Sequence, residues 1–269
     1  MKRLIILLTA ATGFFCSCHN NAITGRKQLA LFPESTLQQQ ALTEYQSFLS
    51  SNKVVSENTS KDAEMVRRVG TRIAAAITKY YTEKGLASEL NGYKWEFNLV
   101  NSPEVNAWCM PGGKVVVYTG LLPITQNEAA LAIVLGHEIT HAVAHHGNER
   151  MSQGALAQGL EVAGNVFTSN NPKANALFSN VFAPTAQVAV LLPNSRNQES
   201  EADHFGLNFA AMAGYNPREA IPFWQRMAKA GSGSKPPEFL ATHPSDEKRI
   251  AQLQAHMAEA LSYYKPVGK

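Results

Sequence analysis

The stretch "VLGHEITHAVAHH" at residues 134–146 places the tightest constraint on what this 269-residue chain can fold into. Its Ala, Val, Leu and Ile content is that of a buried helix, yet it carries His137, Glu138, His141, His145 and His146. Ionisable groups are costly to bury unless they are paired or bound to a metal. A fold that buries this helix must therefore supply partners or an ion. Within the stretch, "HEITH" has the pattern His-Glu-x-x-His. Histidines at i and i+4 share one helix face and can grip a single zinc ion. The glutamate between them turns toward the same opening, where it can take a proton from water activated by the metal. Ala132–Leu135 upstream and Ala142–Ala144 downstream argue that this face is buried rather than solvated.

Zinc in a catalytic site takes three protein ligands and keeps one position open. His145 is not the third ligand: it is eight residues beyond His137, roughly 12 Å along the axis at 1.5 Å per residue. The longer metzincin pattern needs glycine at 144 and histidine at 147, where this chain has Ala144 and Gly147. The remaining candidate is "QESEADHFG", residues 198–206, an acidic cluster in a second predicted helix. Glu199 and Asp203 are four apart and share a face, while Glu201 points away from both. His137, His141 and Glu199 are thus expected to hold one zinc ion per chain. Asp203 is expected to accept a hydrogen bond from a ligating histidine and fix its tautomer.

The surrounding chain reads as α+β and predominantly α. Helices are expected over 34–52, from about 63 to 84, and over 149–167 and 197–213. Another is expected after Asn216, which reads as its N-cap with Pro217 at the first helical position. The last runs from Ser245 as its cap to about Tyr263. "YKWEFNLV" (93–100) and "GGKVVVYTGLL" (112–122) read as strands, giving a small sheet beside the His-Glu-x-x-His helix. The segment 170–195 reads as mixed helix and loop, and 231–239 as loop. Formal charge is +3, or about +1 without Lys2 and Arg3, and no basic stripe or stacking-aromatic motif stands out, so nucleic acid is not an expected partner.

Lys2 and Arg3 precede the apolar run 4–15, which is too short to span a bilayer and resembles a secretory signal. "CSC" follows. Cys18, preceded by the small Ser17, is the better acceptor for lipidation than Cys16 after Phe15. The expected organisation is a lipoprotein signal at 1–17, a tether and extended N-terminal arm at 18–33, and the metal-binding domain at 34–269. Acyl chains on Cys18 would hold the domain at a membrane.

"HEITH", the later "ESEAD" and the preceding "NAWCMPGGKVVVYTGLL" together resemble the zinc metalloprotease family of CAAX prenyl proteases and HtpX. "TGRKQLAL" after the cysteine and "LLPNSRNQESEAD" are similar to its bacterial periplasmic lipoprotein branch. The resemblance implies a gluzincin-like domain with zinc on His137, His141 and Glu199 and with Glu138 as general base. "THPSDEKRI" (242–250) matches a late family motif, so His243 is expected either to stabilise an oxyanion or to close over the zinc. "GGKVVVY" corresponds to the family's active-site strand. Val115, Val116 and Val117 are therefore expected to offer a free edge to an extended substrate, with Asn106 and Ala107 lining the cleft.

These features make a lipid-anchored zinc endopeptidase of the bacterial cell envelope the expected function. It would sit at the periplasmic face of the outer membrane and take unfolded or misfolded envelope proteins as substrates. Two rivals stand beside it: a zinc-holding, chaperone-like module with a gated site, and a metal hydrolase acting on a non-peptide bond. His145 and His146 read as helix-end residues favoured by the dipole, His204 as exposed surface, and Cys109 as a plain buried residue rather than a thiolate ligand.

Overall fold

The computed structural model describes residues 18–157, 172–182, 195–233, 237–243 and 247–266. The architecture is α+β and predominantly α, as the sequence implies. The leader 1–17, most of the region between 158 and 194, and the expected Ser245 cap lie outside the described residues. Among the described residues no helix is long and apolar enough to cross a membrane.

The chain enters as a hairpin rather than an extended arm. β1 (Cys18–Asn20) pairs antiparallel with β2 (Lys27–Leu29), with Cys18 opposite Leu29. The turn closes through Gly25 N–H to Asn21 O at 2.9 Å, with Gly25 at φ 69°. The side chains of Asn21 and Gln28 then donate to Ala144 O at 2.7 and 3.0 Å, so the hairpin is docked on the end of the histidine helix.

Helix α1 (Glu34–Ser51) buries Leu37, Ala41 and Tyr45. Helix α2 (Lys61–Glu83) begins at Ser60, whose side chain caps Ala63 N–H, and buries Val66, Val69, Ile73, Ile77 and Tyr81 on one face. The sheet follows: β3 (Glu96–Val100), β4 (Ala107–Met110) and β5 (Lys114–Tyr118), in the order β3-β5-β4. β3 runs parallel to β5 and β4 antiparallel to it. This corrects the expectation for Val115, Val116 and Val117. They are 0% exposed in the central strand, hydrogen-bonded on both sides, and offer no free edge. The strand β4 holds one outer position of this sheet and β3 the other.

Helix α3 (Glu128–Val143) carries "HEITH" and starts at Asn127, whose side chain caps Ala130 N–H. It is buried all round from Ala130 to Val143, packed between α2, β4 and a later helix, α6 (Ser195–Met212). It ends two residues before a break at His145, which takes φ +54°, and the chain restarts at once as α4 (His146–Ala157). α5 (Pro172–Phe182), α6 (Ser195–Met212), α7 (Ala220–Gly231) and α8 (Glu247–Tyr263) complete the fold. Asn216 caps a turn of 3-10 helix at Pro217–Glu219 ahead of α7.

Two glycines let α3 and α6 approach backbone to backbone. A Cβ on Gly136 would lie 2.5 Å from Gly206 O, and one on Gly206 would lie 2.6 Å from His137 N. Neither clash is with a flexible side-chain end, so both must push the helices apart. Gly136→Ala and Gly206→Ala are each expected to destabilise by about 1–3 kcal/mol, the usual range for overpacking, measured by urea unfolding. Unchanged midpoints would show that the helices separate freely.

The break at His145 is held electrostatically. Its ring nitrogens lie 3.1 Å from Glu34 and 3.6 Å from Glu89. Burial acts to lower the imidazole pKa, but the two carboxylates outweigh it and hold the group up at about 9. A folded-state pKa above the unfolded value of about 6.5 gives stability that is fully present below that value and is lost as pH rises through the folded one. Asn tolerates the left-handed conformation. His145→Asn should therefore cost stability at pH 6 and much less at pH 9.5. An equal cost at both values would contradict the ion-pair account.

Candidate metal centre

His137 and His141 lie one turn apart on α3 and turn their Nε2 atoms to a common point 3.1 Å apart. Helix α6 brings Glu199 to the same point: Oε2 is 3.4 Å from His137 Nε2 and Oε1 is 3.2 Å from His141 Nε2. A fourth donor arrives from the end of the short helix Glu238–Thr242. His243 Nδ1 is 3.1 Å from His137 Nε2 and 2.8 Å from Glu199 Oε2. Zinc bonds to N and O of about 2.0–2.1 Å in a tetrahedron correspond to ligand–ligand edges of roughly 3.3–3.4 Å. The observed separations match that cradle, and three imidazoles with one carboxylate are donors that zinc favours. The site therefore fits one zinc ion held by His137, His141, Glu199 and His243.

Each ligand has a partner that sets its state. Asp203 Oδ1 lies 2.9 Å from His137 Nδ1, which leaves Nε2 as the lone-pair nitrogen. Asp203 is held in turn by Arg249 Nη2 at 2.7 Å. The Arg249 guanidinium lies 3.5 Å from the ring centre of Trp224, a cation–π contact. Burial pushes His141 well below the usual histidine range, toward the neutral form a metal needs. For His137 burial acts the same way, but Asp203 and Glu199 prevail and hold it at about 9. Burial would raise the Glu199 carboxyl, yet His243 and His141 outweigh it and keep the group well below the usual carboxylate range.

Glu138 sits beside the donors without joining them. Its Oε1 is buried and makes no hydrogen bond, with His243 Nε2 3.4 Å away. Burial raises its pKa. A buried carboxylate oxygen aimed beside the cradle with no donor of its own is what a proton acceptor for substrate water requires.

The remaining sequence expectations divide. Asn106 is buried at the start of β4, and its Oδ1 accepts from Ala107 N–H at 2.9 Å, so it serves its own strand. Burial and the nearby Glu138 raise the Cys109 thiol well above its ordinary value, and Cys109 is not among the residues that converge on the cradle. His204 pairs with Glu259 at 2.7 Å and stacks on His256 with ring centres 3.8 Å apart at 15°. That near-parallel stack differs from the 4.7 Å and 77° of the pair His137–His141, although His204, His256 and Glu259 also bring one donor atom each within 4.8 Å of one another. Two residues of the centre were missed. Arg249 lies on the buried face of α8, four residues before the fully buried Leu253, a periodicity that signals an inward-facing charge. His146, read as a helix-end residue, has both ring nitrogens engaged within the core.

The sequence profile described as Peptidase family M48 matches residues 61–257. The mitochondrial metalloendopeptidase OMA1 of Arabidopsis thaliana is 41% identical over 182 residues, covering 67% of this chain and 36% of that protein. The mitochondrial metalloendopeptidase OMA1 of Bos taurus is 32% identical over 257 residues, covering 92% of this chain and 47% of the relative. The beta-barrel assembly-enhancing protease of Escherichia coli is 31% identical over 188 residues, covering 66% and 38%. The chain thus spans about a third to a half of the length of these relatives.

These relatives overturn the expected lipid-anchored position at the periplasmic face of a bacterial outer membrane. Mitochondrial enzymes of a plant and of yeast match at 41% and 34%, above the bacterial protease at 31%, and point away from that localisation. The leader on which it rested lies outside the described residues. All four donor residues fall within the matched span, and the chain belongs to peptidase family M48.

Proposed function

We propose that this chain is a zinc-dependent endopeptidase acting on extended stretches of unfolded or damaged proteins. The observation that carries it is the convergence of His137, His141 and Glu199 beside the unpartnered oxygen of Glu138. A zinc ion in that cradle supplies Lewis acidity toward a carbonyl and lowers the pKa of water at the site. Glu138 takes the proton of the attacking water and delivers it to the leaving amine. Asp203, fixed by Arg249, keeps His137 in the ligating tautomer. The substrate backbone pairs along the outer edge of β4, which no other strand of the three-stranded sheet covers. Asn106 O accepts from Tyr118 N–H at 3.1 Å, so residues 106, 108 and 110 face β5. By alternation Ala107 and Cys109 turn their backbone groups outward, and the Ala107 N–H is already taken by Asn106. Backbone pairing of this kind recognises extended chain with little regard to sequence.

A gated, chaperone-like reading is favoured by one observation: His243 Nδ1 joins the other three donors as a fourth, 3.1 Å from His137 Nε2 and 2.8 Å from Glu199 Oε2. His243 is then the gate of the same enzyme, and it must leave before turnover.

The full chain should bind one zinc and cleave casein. Glu138→Gln should retain the zinc and lose activity by about 10²–10⁴-fold, the usual contribution of a general base. Zinc in both proteins with cleavage by neither would reject the protease. His243→Ala should raise cleavage severalfold. A fall in rate with zinc retained would instead make His243 an oxyanion stabiliser.

A further inference from the structure

His137 receives its tautomer from a carboxylate, Asp203. His141 has no carboxylate on its Nδ1. It meets a second imidazole there: His141 Nδ1 and His146 Nδ1 are 2.8 Å apart, and His146 is 0% exposed. Two ring nitrogens at that separation share a single proton, one donating and the other accepting. The direction is set at the far side of His146. Its Nε2 lies 2.9 Å from Glu201 Oε2, a carboxylate that only accepts, so Nε2 carries the hydrogen. In neutral His146 the Nδ1 is then the acceptor. His141 Nδ1 must donate to it, and His141 Nε2 is left with its lone pair toward the cradle.

Glu201 is fixed from the N-terminal hairpin. Arg26 reaches it through Nε at 2.6 Å and Nη2 at 3.1 Å. The same guanidinium holds Glu149 of α4 at 2.5 and 2.7 Å, and Gln198 of α6 donates to Glu149 at 2.7 Å. A planar fork with five donors can bind two carboxylates at fixed angles, which an ammonium cannot. Arg26 lies before the span matched by the family profile, which begins at residue 61. The hairpin is also pinned to Ala144 O by Asn21 and Gln28, one residue from the break that turns His146 back onto His141.

We propose that His146 is a positioning residue that fixes His141 as a metal ligand, and that the N-terminal hairpin holds His146 in place through Arg26 and Glu201. The proposal rests on the zinc reading of the site. Groups that orient a ligating histidine through its second nitrogen typically contribute 10–100-fold to metal affinity.

The test measures zinc affinity of the metal-free full chain by competition with a chromophoric chelator, with urea unfolding of the same metal-free samples alongside. His146→Leu should bind zinc 10–100-fold more weakly. His146→Gln, whose amide can accept from His141 while donating to Glu201, should recover most of that loss. Arg26→Met should weaken binding in the same direction, and the double variant His146→Leu with Arg26→Met should be little worse than His146→Leu alone, because both act through one chain of contacts. Wild-type affinity in His146→Leu and Arg26→Met, whatever their unfolding midpoints, overturns the proposal. Should His146→Leu fail to fold, Arg26→Met and His146→Gln decide: weakened binding in the first with near-normal binding in the second supports it, and any other pattern rejects it. His141→Ala separates the two readings. If the wild type binds no more zinc than His141→Ala, the metal site itself falls; if the wild type binds and the His146 variants match it, only the positioning role falls.

Discussion

The backbone contact between Gly136 and Gly206 is the constraint on which the rest of the centre depends. Ligand edges near 3.3 Å demand that the two helices carrying them stand closer than ordinary side chains allow. Glycine at both crossing points removes the spacer, and the carbonyl of one helix rests against the other's backbone. Glu199 and Asp203, one turn apart on α6, then meet His137 and His141, one turn apart on α3. Two i, i+4 pairs on two helices make the centre only because the axes are this near.

That arrangement concentrates charge in the core, where two guanidinium groups answer three of the carboxylates. Asp203 is met by Arg249, which in turn lies on the face of Trp224. Glu149 and Glu201 are met by Arg26. Removing one member of a buried pair leaves the other uncompensated, which is far more damaging than either is helpful. The hairpin at the chain's start is therefore part of the charge balance of the metal centre and not an appendage to it.

The helical parts were legible because periodicity states them directly. Spacing alone put His137 with His141 and Glu199 with Asp203, and turned Glu201 to another face. What periodicity could not state was the break at His145. In an unbroken helix, five residues carry a side chain well away from its starting face, so His146 reads as unrelated to His141. The positive φ at His145 reverses that. Sheet order was likewise hidden. The four residues "AWCM" of β4 show no alternation, and nothing in the sequence says that a strand from later in the chain inserts between β3 and β4. The β-branched run was read as an edge when its uniform burial marks a centre. Arg26 stood in a segment read as a tether, where a cation carries no signal until its partners are seen.

Trp224 is fully buried, 6.3 Å from the ring of His137 and beneath the guanidinium that binds Asp203. Trp95 and Trp108, the other two tryptophans, belong to the sheet region and are only partly buried. An indole responds to charge placed over its face, so the excited state of this one side chain is coupled to the electrostatic balance among Arg249, Asp203 and His137. The protein thus carries an intrinsic optical gauge of its own metal centre, built from residues whose structural task is to hold a histidine still.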